Sequence, residues 1–248
     1  MVHVLDTGHV YGTNMMPDGN TMLLHDVFGG IQVIKNVQNP SEVFIYKKLQ
    51  ITPWNDKCET LGGKGNFLYN NRYYLTAGWI NSKIFCIDME NEYSFETFVF
   101  ETPLLFKSDD LVVDKEEKFA ITACYETEGY FAIVDIKKRE VVKTIPSGKG
   151  TCGLTMSCDQ RYVFSSNDGE NSITCLDVKD WTTRKFSCDE GFKKLGIDGY
   201  IQGISMGMDN CVYVYGCSGN GAIVRFKPFD KNPTYEISFP GSKIIGIC

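Results

Sequence analysis

The chain has 248 residues, a formal net charge of −6 and a hydrophobic share of 43%. An acidic balance of this kind argues against non-specific binding to nucleic acid or to an anionic membrane surface, both of which rely on clustered cations. No apolar run approaches the ~18 residues of a spanning helix, and the opening MVHVLDTGHVYG lacks the basic and apolar blocks of a secretory leader, so none is expected.

Helical periodicity is missing along the chain. Short runs rich in Val, Ile, Tyr, Phe and Thr alternate with Gly, Asn and Asp clusters, which is the signature of strands and turns. In chain order the first unit contains TNMMPDGNTMLLHDVFGGIQVIKN (13–36) followed by EVFIYKKL, and the second NNRYYLTAGWINSKIFCIDM (70–89) followed by SFETFVF. The third contains LVVDKEEKFAITACYETEGYFAIVDI (111–136) and REVVKTI, the fourth LTMSCDQRYVFSSNDGENSITCLDV (154–178), and the fifth ISMGMDNCVYVYGCSGNGAIVRFK (204–227) and TYEISF. The turn after each first strand falls at Asp18, Asn70, Asp114, Asp159 and Asp209, at intervals of 52, 44, 45 and 50 residues. The third strand ends at Lys35, Asp88, Asp135, Asp177 and Lys227, at intervals of 53, 47, 42 and 50.

Two markers therefore agree on five units of four strands each. One twisted sheet of this size cannot bury both faces alone, and radial stacking solves the problem. An all-β fold is expected: a single β-propeller of four-stranded antiparallel blades, five in number, with six as the alternative. The blades are placed at about residues 8–50, 51–100, 101–145, 146–190 and 191–240. Similar strand-then-Gly segments at the two ends suggest that one terminus closes the ring by joining the blade of the other.

The segment KREVVKTIPSGKGTCGLTMSCDQRYVFSSNDGENSITCLDVKDWT resembles the YVTN-type repeat of YncE-like and cytochrome-d1/lactonase-like propellers. The lead-in IPSGKG, the hairpin SCDQRYVFSSN and the strand NSITCLDV carry the likeness, which covers roughly residues 101–190. It implies the propeller fold and leaves function open.

Gly148-Lys149-Gly150-Thr151 superficially suggests the end of a phosphate-binding loop. That motif needs a glycine five residues upstream, where Lys143 stands, and a following helix, where a strand is expected. These glycines are read as turn residues. The ten cysteines include no C-x-x-C pair, and several lie within apolar runs, so buried free thiols in a reducing, cytoplasmic compartment are expected.

In such a ring the loops between blades and those from second to third strand share one face around the channel. Its mouth is the expected ligand site. The first set of loops contributes Tyr11, Asn66, Asp109, Asp110, Cys152 and Gln202; the second contributes His25, Asp26, Trp79, Tyr125 and Asn167. Residue types differ here between otherwise similar repeats, as they must where one asymmetric ligand is read.

His9 or His25, with Asp109 or Asp110, form a candidate acid–base pair. Hydrogen-bonded loop residues are the alternative reading. Two adjacent carboxylates in a strand point to opposite sides, so only one can face the channel. No compact histidine spacing supports a metal, and no cofactor is expected. Tyr11, Trp79 and Tyr125 would add aromatic surface; Cys152 suits packing better than nucleophilic attack, which needs an activating base. The expected function is binding of a small molecule or peptide at the mouth, and a protein partner is compatible with the same face. The alternative is a cofactor-free acid–base enzyme: a lyase, isomerase, cyclase or lactone hydrolase. A lectin would repeat its site residues in every blade, and a d1-type redox domain would need His9 or His25 as axial ligand.

Overall fold

The computed structural model describes residues 7–8, 10–26, 29–51, 61–68, 71–78, 83–98, 110–194, 200–217, 223–229 and 235–238. Their strands form five antiparallel sheets of four, each built from strands consecutive in the chain, in the arrangement of a β-propeller. Blade one holds β1 (Val10–Met15), β2 (Thr21–Asp26), β3 (Gly30–Lys35) and β4 (Phe44–Gln50). Blade two holds β5 (Leu61–Leu68), β6 (Tyr73–Gly78), β7 (Ile84–Asp88) and β8 (Ser94–Phe98). Blade three holds β9 (Leu111–Val113), β10 (Phe119–Cys124), β11 (Tyr130–Asp135) and β12 (Glu140–Pro146). Blade four holds β13 (Thr151–Met156), β14 (Tyr162–Asn167), β15 (Ser172–Asp177) and β16 (Thr182–Ser187). After a short helix, α1 (Asp189–Lys194), come β17 (Tyr200–Met206), β18 (Val212–Cys217), β19 (Ile223–Phe226) and β20 (Tyr235–Ser238) of blade five.

The expected exchange of a terminal strand is not seen among these residues: TYEISF supplies β20, the outer strand of its own blade. The segments VHVLD and SKIIGIC lie outside the described residues. No helix among the described residues is long and apolar enough to cross a membrane.

The middle strands read as nearly unbroken apolar runs because both of their faces are covered. Val163 of β14 packs toward Ile121, Phe131 and Ile133 of blade three, while its neighbour Phe164 packs toward Ile204, Val214 and Val224 of blade five. Leu23, Ile31 and Val33 meet Tyr74, Phe85 and Ile87 between blades one and two; Leu75, Ala77 and Ile84 meet Leu111, Ala120 and Val134 between two and three. The core therefore lies between the sheets, and each fully covered side chain contributes about 1.5–3 kcal/mol relative to exposure. Outer strands alternate or are exposed, as in β4 and β16. Cys86, Cys124, Cys152, Cys175, Cys188 and Cys211 are buried free thiols, and Cys158 is an exposed one. Burial pushes the Cys175 and Cys188 thiols up to about 12.

The repeated aspartates close hairpins. Asp18 Oδ1 accepts from the Asn20 and Thr21 amides at 2.8 Å, and Asp159 Oδ1 accepts from Arg161 N at 3.1 Å. Asp114 sits earlier in its turn than the repeat alignment implies. The left-handed turn residues are Gly19, Asn71, Glu117, Gln160 and Asn210, which pairs Asp114 with Ser157 rather than with Asp159. Both side chains do the same work, Asp114 Oδ1 accepting from Phe119 N at 2.6 Å and Ser157 Oγ from Tyr162 N at 2.9 Å. A carboxylate and a hydroxyl are interchangeable acceptors here, so the marker slid by two positions without disturbing the turn. Asp88, Asp135 and Asp177 accept amides of the third-to-fourth strand turns. Asp177 also binds Arg161 at 2.8 Å, whose guanidinium lies over the Tyr162 ring. Trp181 packs edge-on against Phe119 at 5.5 Å, sealing blade four to blade three.

The inner strands carry a recurrent irregularity. Pairing with the second strand shifts register between Val10 and Gly12, Leu61 and Gly65, Thr151 and Leu154, and Ile201 and Gly203. A bulge of this kind takes backbone polar groups out of their ladder, and in a buried setting each needs another partner. At three of these bulges the neighbouring blade supplies it. Asn14 of blade one bonds both polar groups of Gly65 in blade two, Nδ2 donating to the carbonyl at 3.1 Å and Oδ1 accepting from the amide at 3.3 Å. Asp110 at the start of blade three accepts from Leu154 N of blade four at 2.9 Å. Cys152 Sγ and Ser166 Oγ of blade four donate to the Gln202 carbonyl of blade five, at 3.1 and 3.4 Å.

Gly65 fits because a Cβ there would stand 2.1 Å from the Leu75 carbonyl and 2.6 Å from the Tyr74 ring. Gly65→Ala should therefore lower unfolding free energy by about 3 kcal/mol, measured by urea titration, because backbone rather than a flexible side chain obstructs it.

Acid sensitivity follows from the turn carboxylates. Hydrogen bonds from Arg161 hold Asp177, from Ser157 hold Asp159, and from Arg225 hold Asp209 below the ordinary value of 3.8. A carboxyl depressed by folding contributes stability that is complete above its unfolded value and disappears as pH falls through the folded one. Urea midpoints should stay level between about pH 7 and 5 and drop below about pH 4, and Asp177→Asn should shrink that drop.

Candidate functional site

In these meandering blades the start of the first strand, the end of the second, the start of the third and the end of the fourth share one face. The expected site residues divide over it. His9, Trp79 and Asp109 lie outside the described residues, as does the side chain of Tyr11, which stands in β1. His25 is fully buried, with Nε2 2.7 Å from the Tyr74 hydroxyl and the rings edge to face. Tyr74 donates its proton to Asn14 Oδ1 at 2.8 Å, which leaves its oxygen to accept from the Nε2–H of His25 and so selects that tautomer. Burial pushes the Tyr74 hydroxyl well above its ordinary value, and the charge of Asp110 pushes in the same direction. His25, Tyr74 and Asn14 thus form one hydrogen-bonded chain across the junction of blades one and two.

The remaining residues have specific partners as well. Asp26 Oδ1 accepts from Gly30 N at 2.9 Å across the loop into β3, and Asn66 Oδ1 accepts from Phe67 N at 2.8 Å. Asp110, Cys152 and Gln202 belong to the inter-blade bonds around the bulges. Asn167 is a buried hub: Oδ1 accepts from Thr151 Oγ1 at 2.9 Å, and Nδ2 donates to Ser172 Oγ and Thr174 Oγ1, both at 2.9 Å. The Tyr125 hydroxyl bonds the carboxyl of Asp168; burial raises that carboxyl, and Tyr125 and the Gly169 amide partly oppose the shift. Among the described residues no group of three His, Cys, Asp or Glu is arranged to hold a metal.

Asn14, Tyr74 and Ser166 were not anticipated from sequence. Glycines at the start of the inner strands (Gly12, Gly65, Gly153 and Gly203) were the available signal, since an isolated Gly in a strand marks a bulge or a close backbone approach.

A cavity of about 580 Å³ opens on this face between blades three and four. It lies at the outer strands, away from the axis, and its border includes Glu128, Thr144, Lys149, Glu170 and Lys185. The loop Ser147–Gly150 shapes it. A Cβ on Gly148 would fall 2.3 Å from Glu170 Oε1 and 2.4 Å from Asn167 Nδ2. Gly150 has φ +65°, and a Cβ there would fall 1.9 Å from Asp168 Oδ1. The G-K-G spacing is thus a requirement of close packing against blade four, and it leaves Lys149 exposed between two constrained residues.

Glu170 is held by Lys185 Nζ at 2.7 Å and Ser172 Oγ at 2.8 Å. Burial works against its ionisation, but those bonds and the Lys149 amide hold its carboxyl below the ordinary value. Glu128 and Lys149, by contrast, have no ion-pair partner within 4 Å among the described residues. The border of this cavity carries one neutralised pair and two unopposed charges of opposite sign.

No protein-family model matches the chain, and no curated protein matches it in sequence. Solved structures do resemble it. A functionally unknown protein from Desulfotomaculum acetoxidans aligns over 92% of this chain and 69% of its own, at 12% identity and a TM-score of 0.64. Hydrazine synthase from Kuenenia stuttgartiensis aligns over 95% of this chain and 68% of its own, at 11% identity and a TM-score of 0.65. Likeness at this identity is one of fold: the chain is a five-bladed β-propeller.

The partners of Asp110 make a direct test. Asp110→Ala should leave Leu154 N–H buried and unpaired, at a cost of about 1–3 kcal/mol in urea unfolding. Asp110→Asn, which keeps an acceptor at the same place, should recover most of that loss.

Proposed function

We propose that this protein is a binding propeller that takes a small molecule or a peptide on its loop face, in the cavity between blades three and four. The observation that carries the reading is that cavity: its volume of about 580 Å³ falls within the range of small-molecule sites, and Glu128 and Lys149, without an ion-pair partner among the described residues, stand on its border. It occupies the face expected from the repeat pattern but lies between blades instead of on the axis.

The acid–base alternative draws less support. His25 and Asp110 are buried and engaged, one with Tyr74 and the other with Leu154 N, and both bonds join neighbouring blades. A general acid or base must reach a substrate atom. The YVTN-type repeat resemblance over the third and fourth blades is consistent with a divergent propeller of that kind, working in the cytoplasm.

Thr144 is exposed and borders the cavity without joining its hydrogen-bonded loop, so Thr144→Trp should fill the space and leave the fold intact. In an NMR screen of mixed fragments and short peptides, amide shifts should cluster on 126–130, 147–150 and 168–170 and vanish in T144W. Shifts clustering instead around Asp110, Cys152 and Gln202 would move the site to the channel axis, and a screen with no binders would remove the binding reading.

A further inference from the structure

We infer that the cavity between blades three and four selects a dipolar ligand, a short peptide or amino acid with free amino and carboxyl ends, whose ammonium is met by Glu128 and whose carboxylate is met by Lys149. The inference rests on the binding reading above and specifies the chemistry of that same site.

Four charged side chains stand on the cavity border: Glu128, Lys149, Glu170 and Lys185. Lys185 and Glu170 neutralise each other at 2.7 Å, and Glu170 is further saturated by Ser172. That pair helps fix the wall and leaves little attraction for an external ion. Glu128 and Lys149 differ. Both are exposed, both border the cavity, and among the described residues neither has an ion-pair partner, including each other.

Their backbones are nonetheless fixed relative to one another. Ser147 N donates to the Gly129 carbonyl at 2.9 Å, and a Cβ on Gly129 would stand 2.1 Å from the Gly148 carbonyl. Gly150 N donates to the Glu126 carbonyl at 3.0 Å, closing the two loops from the other side. Glu128 and Lys149 therefore project from adjoining loops locked together, yet their charged ends do not meet. A ligand carrying one charge of each sign answers both at once. A simple anion or cation leaves one of them facing a like or absent charge, so the arrangement favours the dipole over either ion alone.

A free amino acid and a short peptide share this chemistry, and calorimetry with alanine and trialanine in parallel separates the two sources. Trialanine is then compared with N-acetyl-trialanine, which lacks the ammonium, and trialanine amide, which lacks the carboxylate. Binding of alanine or trialanine is expected, with blocking of either end weakening trialanine about tenfold or more, as for loss of a charge-assisted bond. Glu128→Gln should erase the difference between trialanine and its acetylated form while preserving the difference from the amide. Lys149→Gln should do the reverse. Both side chains are exposed and have no ion-pair partner among the described residues, so thermal midpoints should not move.

Equal binding of free and blocked peptides, or unchanged end preferences in both variants, would overturn the inference. So would failure of alanine and trialanine to bind while uncharged fragments still give T144W-sensitive shifts, and that result would leave the binding reading standing. Absence of any T144W-sensitive binder would remove the binding reading itself.

Discussion

The hydrogen bonds that cross from one blade to the bulged inner strand of the next are the interaction on which the rest of this architecture depends. A propeller needs its inner strands to crowd around an axis, and a bulge bends them there at the expense of ladder bonds. Left unpaired in a buried place, each freed amide or carbonyl would cost about 1–3 kcal/mol. Asn14, Asp110, Cys152 and Ser166 remove that cost by reaching across the junction. The apolar contacts between blades are non-directional, whereas these bonds are specific in position. They register one blade against the next.

This explains why the described part of the channel region is rich in buried polar side chains. His25 stands at the same place in its blade as Ser166 does in blade four, next to the last residue of the second strand, and both reach forward to the following blade. An imidazole bonded to a buried phenol and a hydroxyl bonded to a carbonyl are two solutions to one structural need. Sequence divergence among the repeats at these positions reflects different partners across each junction.

The cavity between blades three and four arises from a second set of close approaches. Glycines 129, 148 and 150 let two loops and the end of blade four pass within distances that a side chain would forbid. Asn167 and Glu170 then bind the loop from below, and the space outside them remains open to solvent. Backbone hydrogen bonds between the two loops fix them relative to one another. The Desulfotomaculum and Kuenenia structures share the propeller fold at 12% and 11% identity.

Sequence by itself pointed to five blades with six left open, and determined the four strands in each and the turn chemistry of the aspartates, because strand periodicity and turn residues are local properties. It also excluded a phosphate loop at Gly148–Thr151, since the strand after it was legible. Asp114 shows the limit even there: an aspartate and a serine serve the same turn, so identity at a marker did not guarantee equivalence of position. Only the tertiary structure decided what the polar residues of the loop face do. Asp110 and Leu154 are 44 residues apart, and Asn14 and Gly65 are 51 apart. Which acceptor meets which bulge depends on how two separately formed sheets twist and stack, and no local pattern encodes that meeting. The same holds for the cavity, whose charged residues come from loops and strands of two blades and meet only when those blades pack.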